Sequence, residues 1–372
     1  MRHTLAGALL LLAAPAVAAP VVVTLEGGGE YDTNLQRVET GPGLETEPLA
    51  GEVLRVGGKI DKRDKVLDGT YAATASILTR TVSQAAAATE NVALFGADLR
   101  YLRPLAGRNV SVGFGVAGAD SVGITQDIGA RTFTSLSADA LLVLDANDTT
   151  HLSFAVGARR FTYKENHDFD WAGPAATARL DSTLWAPSGG TRTLELAVTA
   201  GFELRDYDAI ALANVCAPGT PLDQMCSAAT RLDRTDRVER IGAELTYTGR
   251  VIATAGYQLT VIDSNSFGQS LIRHKATASA TTTLVEGFYA TLLAQLQLDQ
   301  YTDGLVLETD TQRSEFTSLD DENRSSLQVR VGHPLTDAWS AEVRGAVWRN
   351  LGGDMDSSFR RSSVYAGLIY NH

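Results

Sequence analysis

The chain has 372 residues, a formal net charge of −12, 44% hydrophobic residues and 20% charged ones. That balance excludes a disordered chain and a membrane protein made of apolar helices. Its acidity excludes a nucleic-acid binder that relies on a broad basic face.

The N-terminus carries the first pattern. Arg2 and His3 precede an apolar core over residues 5–14, then Pro15 and the small-residue site Ala16-Val17-Ala18. This is the layout of a secretory signal peptide. It places cleavage near Ala18 or Ala19 and divides the chain into a signal peptide, 1–19, and a mature segment, 20–372. No Cys stands at the new terminus, so a lipid anchor is not expected. The apolar core falls short of the about 20 residues a spanning helix needs, and no later run approaches that length. A membrane protein made from this sequence therefore crosses with strands closed into a barrel, which satisfies every backbone group in lipid.

From residue 21 onward the pattern is alternation with a period of two. In 194–205, Leu194, Leu196, Val198, Ala200, Phe202 and Leu204 share one face, against Glu195, Thr199, Gly201, Glu203 and Arg205. In 251–261, Val251, Ala253, Ala255, Tyr257, Leu259 and Val261 oppose Thr254, Gly256, Gln258 and Thr260. In 288–299, Phe288, Ala290, Leu292, Ala294, Leu296 and Leu298 oppose Thr291, Gln295, Gln297 and Asp299. Further copies start at Tyr71, Val110, Leu152, Ile241 and Leu327. These segments are long for soluble strands, which average about 5 to 6 residues, and long enough for a tilted crossing of about 9 to 11.

Short polar turns are expected at 62–65, 106–108, 147–149, 188–190, 248–250, 285–287 and 335–337. Longer stretches interleave with them at 33–50, 84–90, 122–130, 164–169, 209–230, 263–268, 302–322 and 352–358. Short turns alternating with longer loops is the pattern of an all-β, transmembrane, antiparallel up-and-down barrel. The count is about 16 strands, in a range of about 14 to 18, from 21–32 through 358–372. Residues 51–60 and 170–184 alternate less cleanly.

In the last strand Val364, Ala366, Leu368, Tyr370 and His372 share a face. Aromatics near strand ends read as two interfacial girdles: Tyr31, Tyr101, Tyr163, Trp171, Trp185, Tyr207, Tyr247, Phe288, Tyr301, Trp339, Trp348 and Tyr370.

The lumen is the main candidate site. Residues expected to line it are Arg80, Asp98, Arg100, Asp139, Arg159, Glu195, Glu203, Arg205, Glu244, Gln295, Gln297, Arg330, Glu342 and Arg344. Both charge signs appear, as in a hydrated wall whose transverse field sorts polar cargo or in a lumen filled by ion pairs. A barrel of this size encloses space that side chains alone do not fill. Cys216 and Cys226 flank a nine-residue loop suited to a disulfide in an oxidising compartment. The acidic stretch 303–322 offers carboxylates to divalent cations near lipopolysaccharide, or is a solvated loop. His167, Asp168 and Asp170, with Asp206 and Asp208, could pair a base with carboxylates around a water. No Gly-x-Ser-x-Gly elbow, HExxH or phosphate-binding loop is present, so no enzyme, cofactor or resident metal is expected.

The opening strand reads Leu25-Glu26-Gly27-Gly28-Gly29-Glu30-Tyr31-Asp32-Thr33-Asn34. It resembles the Tyr-Asp-Ser/Thr-Asn opening of Gram-negative outer-membrane barrels, both those of exopolysaccharide export and some porin-like proteins. The C-terminal strand resembles the terminal signal of the same class, with His372 in place of the usual aromatic. The resemblance implies a cell-outer-membrane location and contact with lipid, lipopolysaccharide and the barrel assembly machinery. For the export branch it implies a separate periplasmic polysaccharide-export protein as partner, since no tetratricopeptide scaffold or plug precedes the first strand. The leading expectation is a polysaccharide channel. The alternatives are a general or small-solute porin, and a structural or adhesive barrel with a closed lumen.

Overall fold

The computed structural model describes residues 21–38, 40, 47–107, 109–125, 131–187, 191–215, 217, 227–285, 287–302, 324–350 and 359–372. The expected signal peptide, Cys216 and Cys226, the turn at 188–190, the acidic stretch 303–322 and the loop 352–358 lie outside the described residues.

Sixteen strands follow one another. They are β1 (Val21–Asp32), β2 (Gly51–Val66), β3 (Gly69–Val82), β4 (Val92–Pro104), β5 (Val110–Gly123), β6 (Phe133–Asn147), β7 (Thr150–Tyr163) and β8 (Trp171–Trp185). Then come β9 (Thr193–Asn214), β10 (Ser227–Thr248), β11 (Val251–Ser264), β12 (Leu271–Val285), β13 (Phe288–Tyr301), β14 (Ser325–Pro334), β15 (Trp339–Arg349) and β16 (Arg360–Asn371). Each pairs with its neighbours in sequence, and β1 pairs with β16, so the sheet is a closed antiparallel barrel. Closure leaves no strand edge exposed to lipid. The seam runs from Thr24 opposite Asn371 to Asp32 opposite Ser363. His372 extends it, its N–H donating to the Val23 carbonyl at 2.9 Å. At the seam the Tyr365 ring lies over Gly28, where an added Cβ would stand 2.6 Å from it. A glycine there admits the aromatic plate that covers the junction.

The polarity of the barrel is inverted relative to a soluble protein. Outward positions carry Leu25, Leu54, Phe95, Phe114, Val156, Leu292, Val343 and Leu368, all exposed. Inward positions carry Glu30, Asp32, Arg55, Arg80, Glu203, Arg205 and Arg361, all buried. Apolar surface is favourable outside only where the surroundings are themselves apolar, so the exterior is built for a bilayer. No helix among the described residues is long and apolar enough to cross a membrane. The crossing elements are strands.

Both termini of the barrel lie at the end with short connections, and the long loops crown the other end. Two expected connections differ. The polar run 62–65 lies inside β2, paired as far as Val66 opposite Gly69, and the turn is Leu67-Asp68. Both faces are polar there, so the sequence imitates a turn where the ladder continues. Likewise 209–214 and 227–230 are strand, not loop, so the β9–β10 hairpin extends to Asn214 opposite Ser227.

The expectation of two aromatic girdles also needs correcting. Trp339 and Tyr370 pack on the exterior at the short-turn end, with ring centroids 5.1 Å apart, and His372 stacks on Tyr370. Tyr101, Trp185, Tyr247 and Phe288 stand at the same end. At the long-loop end Tyr31 is exposed on the outer face, as expected, whereas Tyr163, Trp171, Tyr207 and Trp348 are buried in the barrel, and Tyr301 packs against a buried cluster there. The latter alternate with outward residues, so register turns them inward regardless of their position near strand ends.

Candidate functional site: the barrel lumen

All fourteen candidate residues share the inward face. The register fixes this: Arg80 is opposite Arg55, Asp139 opposite Gly157, Glu203 opposite Val238, and Arg344 opposite Arg330 and Tyr365. Their surroundings divide them. Arg80, Glu203, Arg205, Gln297 and Glu342 are buried; Asp98, Asp139, Arg159, Gln295, Arg330 and Arg344 are half-buried; Arg100, Glu195 and Glu244 are exposed. The buried ones, Glu342 apart, stand toward the long-loop end.

There the wall and its loops are tied into a collar. Arg80 reaches Asp32 and Glu90, each at 3.2 Å. Glu90 ends a 3-10 turn, Ala85–Glu90, and also meets Arg131 at 3.5 Å and Arg37 at 4.0 Å. Three loops therefore converge on one carboxylate. Asp32 is shared with Arg361 at 2.8 Å, and Glu30 with Arg55 at 2.8 Å. Leu35 from the first loop packs on Val53, Val82 and Ala87 inside the same end.

From β6 to β10 the collar is aromatic and cationic. Phe133, Phe161, Tyr163, Phe169, Trp171 and Tyr207 form a buried cluster. The Arg205 guanidinium lies over Trp171 at 4.6 Å, and Arg234 lies over Tyr207 at 4.0 Å. Arg205 and Arg240 share Glu203, at 2.6 and 3.1 Å, while Arg234 is held by Asp236 at 2.5 Å. A flat guanidinium stacks on a ring and still donates in its plane, which suits arginine rather than lysine to this wall. Farther round, Arg361 lies over Trp348 at 4.3 Å.

The short-turn half is open. The Arg100 side chain is 68% exposed and Lys59 51%, both on the inward face. Side chains that point inward yet remain wet require solvent in the lumen. Paired charges line it: Arg159 with Asp139 at 2.8 Å, Arg100 with Asp98 at 3.4 Å, and Arg344 with Glu26 at 3.0 Å and with Glu342. Glu195 on β9 and Glu244 on β10 lie seven and eight strands from the basic inward residues Lys59, Arg63 and Lys65 of β2. In a sixteen-stranded ring, eight strands is diametric, so opposite charges face one another across the lumen.

The motif around His167 is a loop device. Its Nδ1 and Asp170 Oδ2 are 2.9 Å apart, and Asp170 Oδ1 accepts the Tyr163 backbone N–H at 2.6 Å. Phe169 fills the aromatic cluster. Asp206 and Asp208 alternate with inward Tyr207 and stand on the outer face, so they do not join it. Among the described residues no group of His, Cys, Asp and Glu is placed to hold a metal ion.

Glu30, Asp32, Arg55, Glu90, Arg273, Asp299 and Arg361 join the site beyond the fourteen residues expected to line it. All but Glu90 were available by extending the alternation of their strands to its end. Glu90 belongs to a loop whose inward fold no periodicity announces.

No family model and no curated protein matches the chain. Among solved structures it is similar to a bacterial polysaccharide outer-membrane secretin, at 9% identity and a TM-score of 0.44, covering 96% of this chain and 100% of that one. OccAB1 of Acinetobacter baumannii matches at 10% and 0.46, over 94% and 96% of the two chains. Salmonella typhi OmpF, in complex with daunomycin, matches at 13% and 0.45, over 95% and 97%. The likeness is one of architecture, that of outer-membrane β-barrels.

Proposed function

We propose that this chain is an outer-membrane channel for hydrophilic solutes. One observation carries the reading: an apolar exterior encloses an interior whose short-turn half is lined by wet, charged side chains. A sixteen-stranded barrel is wide enough to leave an aqueous path. The collar at the long-loop end would narrow that path, and the facing charges of β2 and β9–β10 would orient polar cargo. Both features support a small-solute porin over a wide polymer conduit. Polysaccharide export stands as the second reading, on the inward aromatics and arginines, the residue types that stack on sugar rings. Most of those rings are buried, however, and offer little face to cargo. Export through a signal peptide at 1–19, insertion by the barrel assembly machinery, and lipopolysaccharide around the exterior all belong to this proposal. So does a separate periplasmic partner in the export reading.

The test is single-channel conductance of refolded protein in planar bilayers, with neutral oligosaccharides added. Stable steps indifferent to sugars are expected from the small-solute channel. Steps interrupted by sugars would move the reading to a carbohydrate channel. A folded, heat-modifiable barrel without conductance would overturn both and leave a structural barrel with a closed lumen.

A further inference from the structure

We propose that Lys275 forms a docking step for carboxylate or phosphate groups on the lumen wall, so that the channel prefers small hydrophilic anions. This rests on the channel reading above. Lys275 faces inward from β12, four residues in from its long-loop end, directly opposite Gln258 on β11 and Gln297 on β13. It is half-buried, and among the described residues no carboxylate forms an ion pair with it.

The surrounding cations are committed elsewhere. Arg273, two positions along β12, holds Asp299 with two bonds of 2.8 Å, and Gln297 donates to the same carboxylate at 3.2 Å. Arg240 is tied to Glu203 and Arg344 to Glu26. The inward face of β11 has no charge at all: Thr254, Gly256, Gln258, Thr260 and Ile262. Arg273 and Asp299 cancel, so the wall formed by β11 to β13 presents one uncompensated ammonium to the lumen.

The chemistry suits a transient anion. An ammonium on a four-carbon stem supplies three donors that turn to meet a passing oxyanion. Gln258 sits across the strand pair, within about 5 Å by the spacing of opposed residues, and its amide can donate to a second oxygen. A single lysine among neutral amides binds without trapping, as conduction requires.

The experiment is the reversal potential in a KCl gradient, with citrate as a trivalent probe, for the wild type, Lys275→Gln and Lys275→Glu. The wild type should favour chloride and show citrate interruptions. Lys275→Gln should keep single-channel steps but lose the interruptions, with its chloride preference reduced about twofold or more. Lys275→Glu should favour potassium. A cation-selective wild type, or citrate block that survives in Lys275→Gln, would overturn this inference while leaving the channel intact. Absence of steps in the wild type would instead overturn the channel reading beneath it.

Discussion

Glu90 receives Arg80, Arg131 and Arg37 in a region almost closed to water, joining the wall to three loops. A buried guanidinium that loses its carboxylate keeps the desolvation cost and forfeits the attraction. Glu90→Gln preserves volume and removes only the charge. It should cost about 3 kcal/mol and loosen the collar. The expected readings are a lower temperature for the heat-induced mobility shift and more open-channel noise. An unchanged shift temperature would mean that the loops are held by packing around Leu35 instead. Arg80 was visible in the sequence as an inward arginine. Its partners Asp32 and Glu90 lie 48 and 10 residues away, and only folding brings them to it.

At the scale of elements, alternation identifies strands well where one face meets lipid and the other meets water. It fails where both faces meet water. The β2–β3 hairpin shows this, because Lys62, Arg63, Asp64 and Lys65 look like a turn yet pair through to Val66. The true turn, Leu67-Asp68, has φ of +49° and +59°, a left-handed conformation that favours Asn and Gly. Non-glycine residues held there cost about 1 kcal/mol or more each. Replacing the pair by Asn-Gly should therefore stabilise the barrel by about 1–2 kcal/mol. Urea titration of folding in lipid vesicles measures it, and a shift of the midpoint to lower urea would contradict the turn geometry. The long β9–β10 hairpin looks like a loop over 209–230 for the same reason, since its projecting part has no lipid to impose a pattern.

For the whole molecule the decisive property is the inversion of inside and outside. Leu292 and Leu293 are neighbours on β13, one facing out and one facing in. An arginine on the lipid face near the middle of the apolar band costs about 2–4 kcal/mol, whereas the lumen tolerates it. Leu292→Arg should thus impair refolding into vesicles, while Leu293→Arg should fold and alter conductance. Equal refolding of the two variants would mean that the exterior does not meet lipid. The same inversion explains why, at the long-loop end, most of the expected aromatics other than Tyr31 turn away from the exterior: Trp171, Tyr207 and Trp348 serve the collar there, stacked under arginines, rather than the membrane interface.

The strand periodicity, the number of strands and the face of every inward candidate were legible in the sequence, because a strand assigns its side chains to two sides by a local rule. The opening strand Val21–Asp32 is bounded in the structure as its alternation predicts, and Arg80, Glu203 and Arg344 point where parity puts them. What tertiary structure alone decided is which inward charges are wet and which are sealed. That depends on loops folding back over one end and on partners hundreds of residues apart, such as Arg361 with Asp32. Closure of β1 on β16 is equally non-local. A one-dimensional pattern specifies the wall of the barrel; the contents of its mouth depend on contacts that no period in the chain encodes.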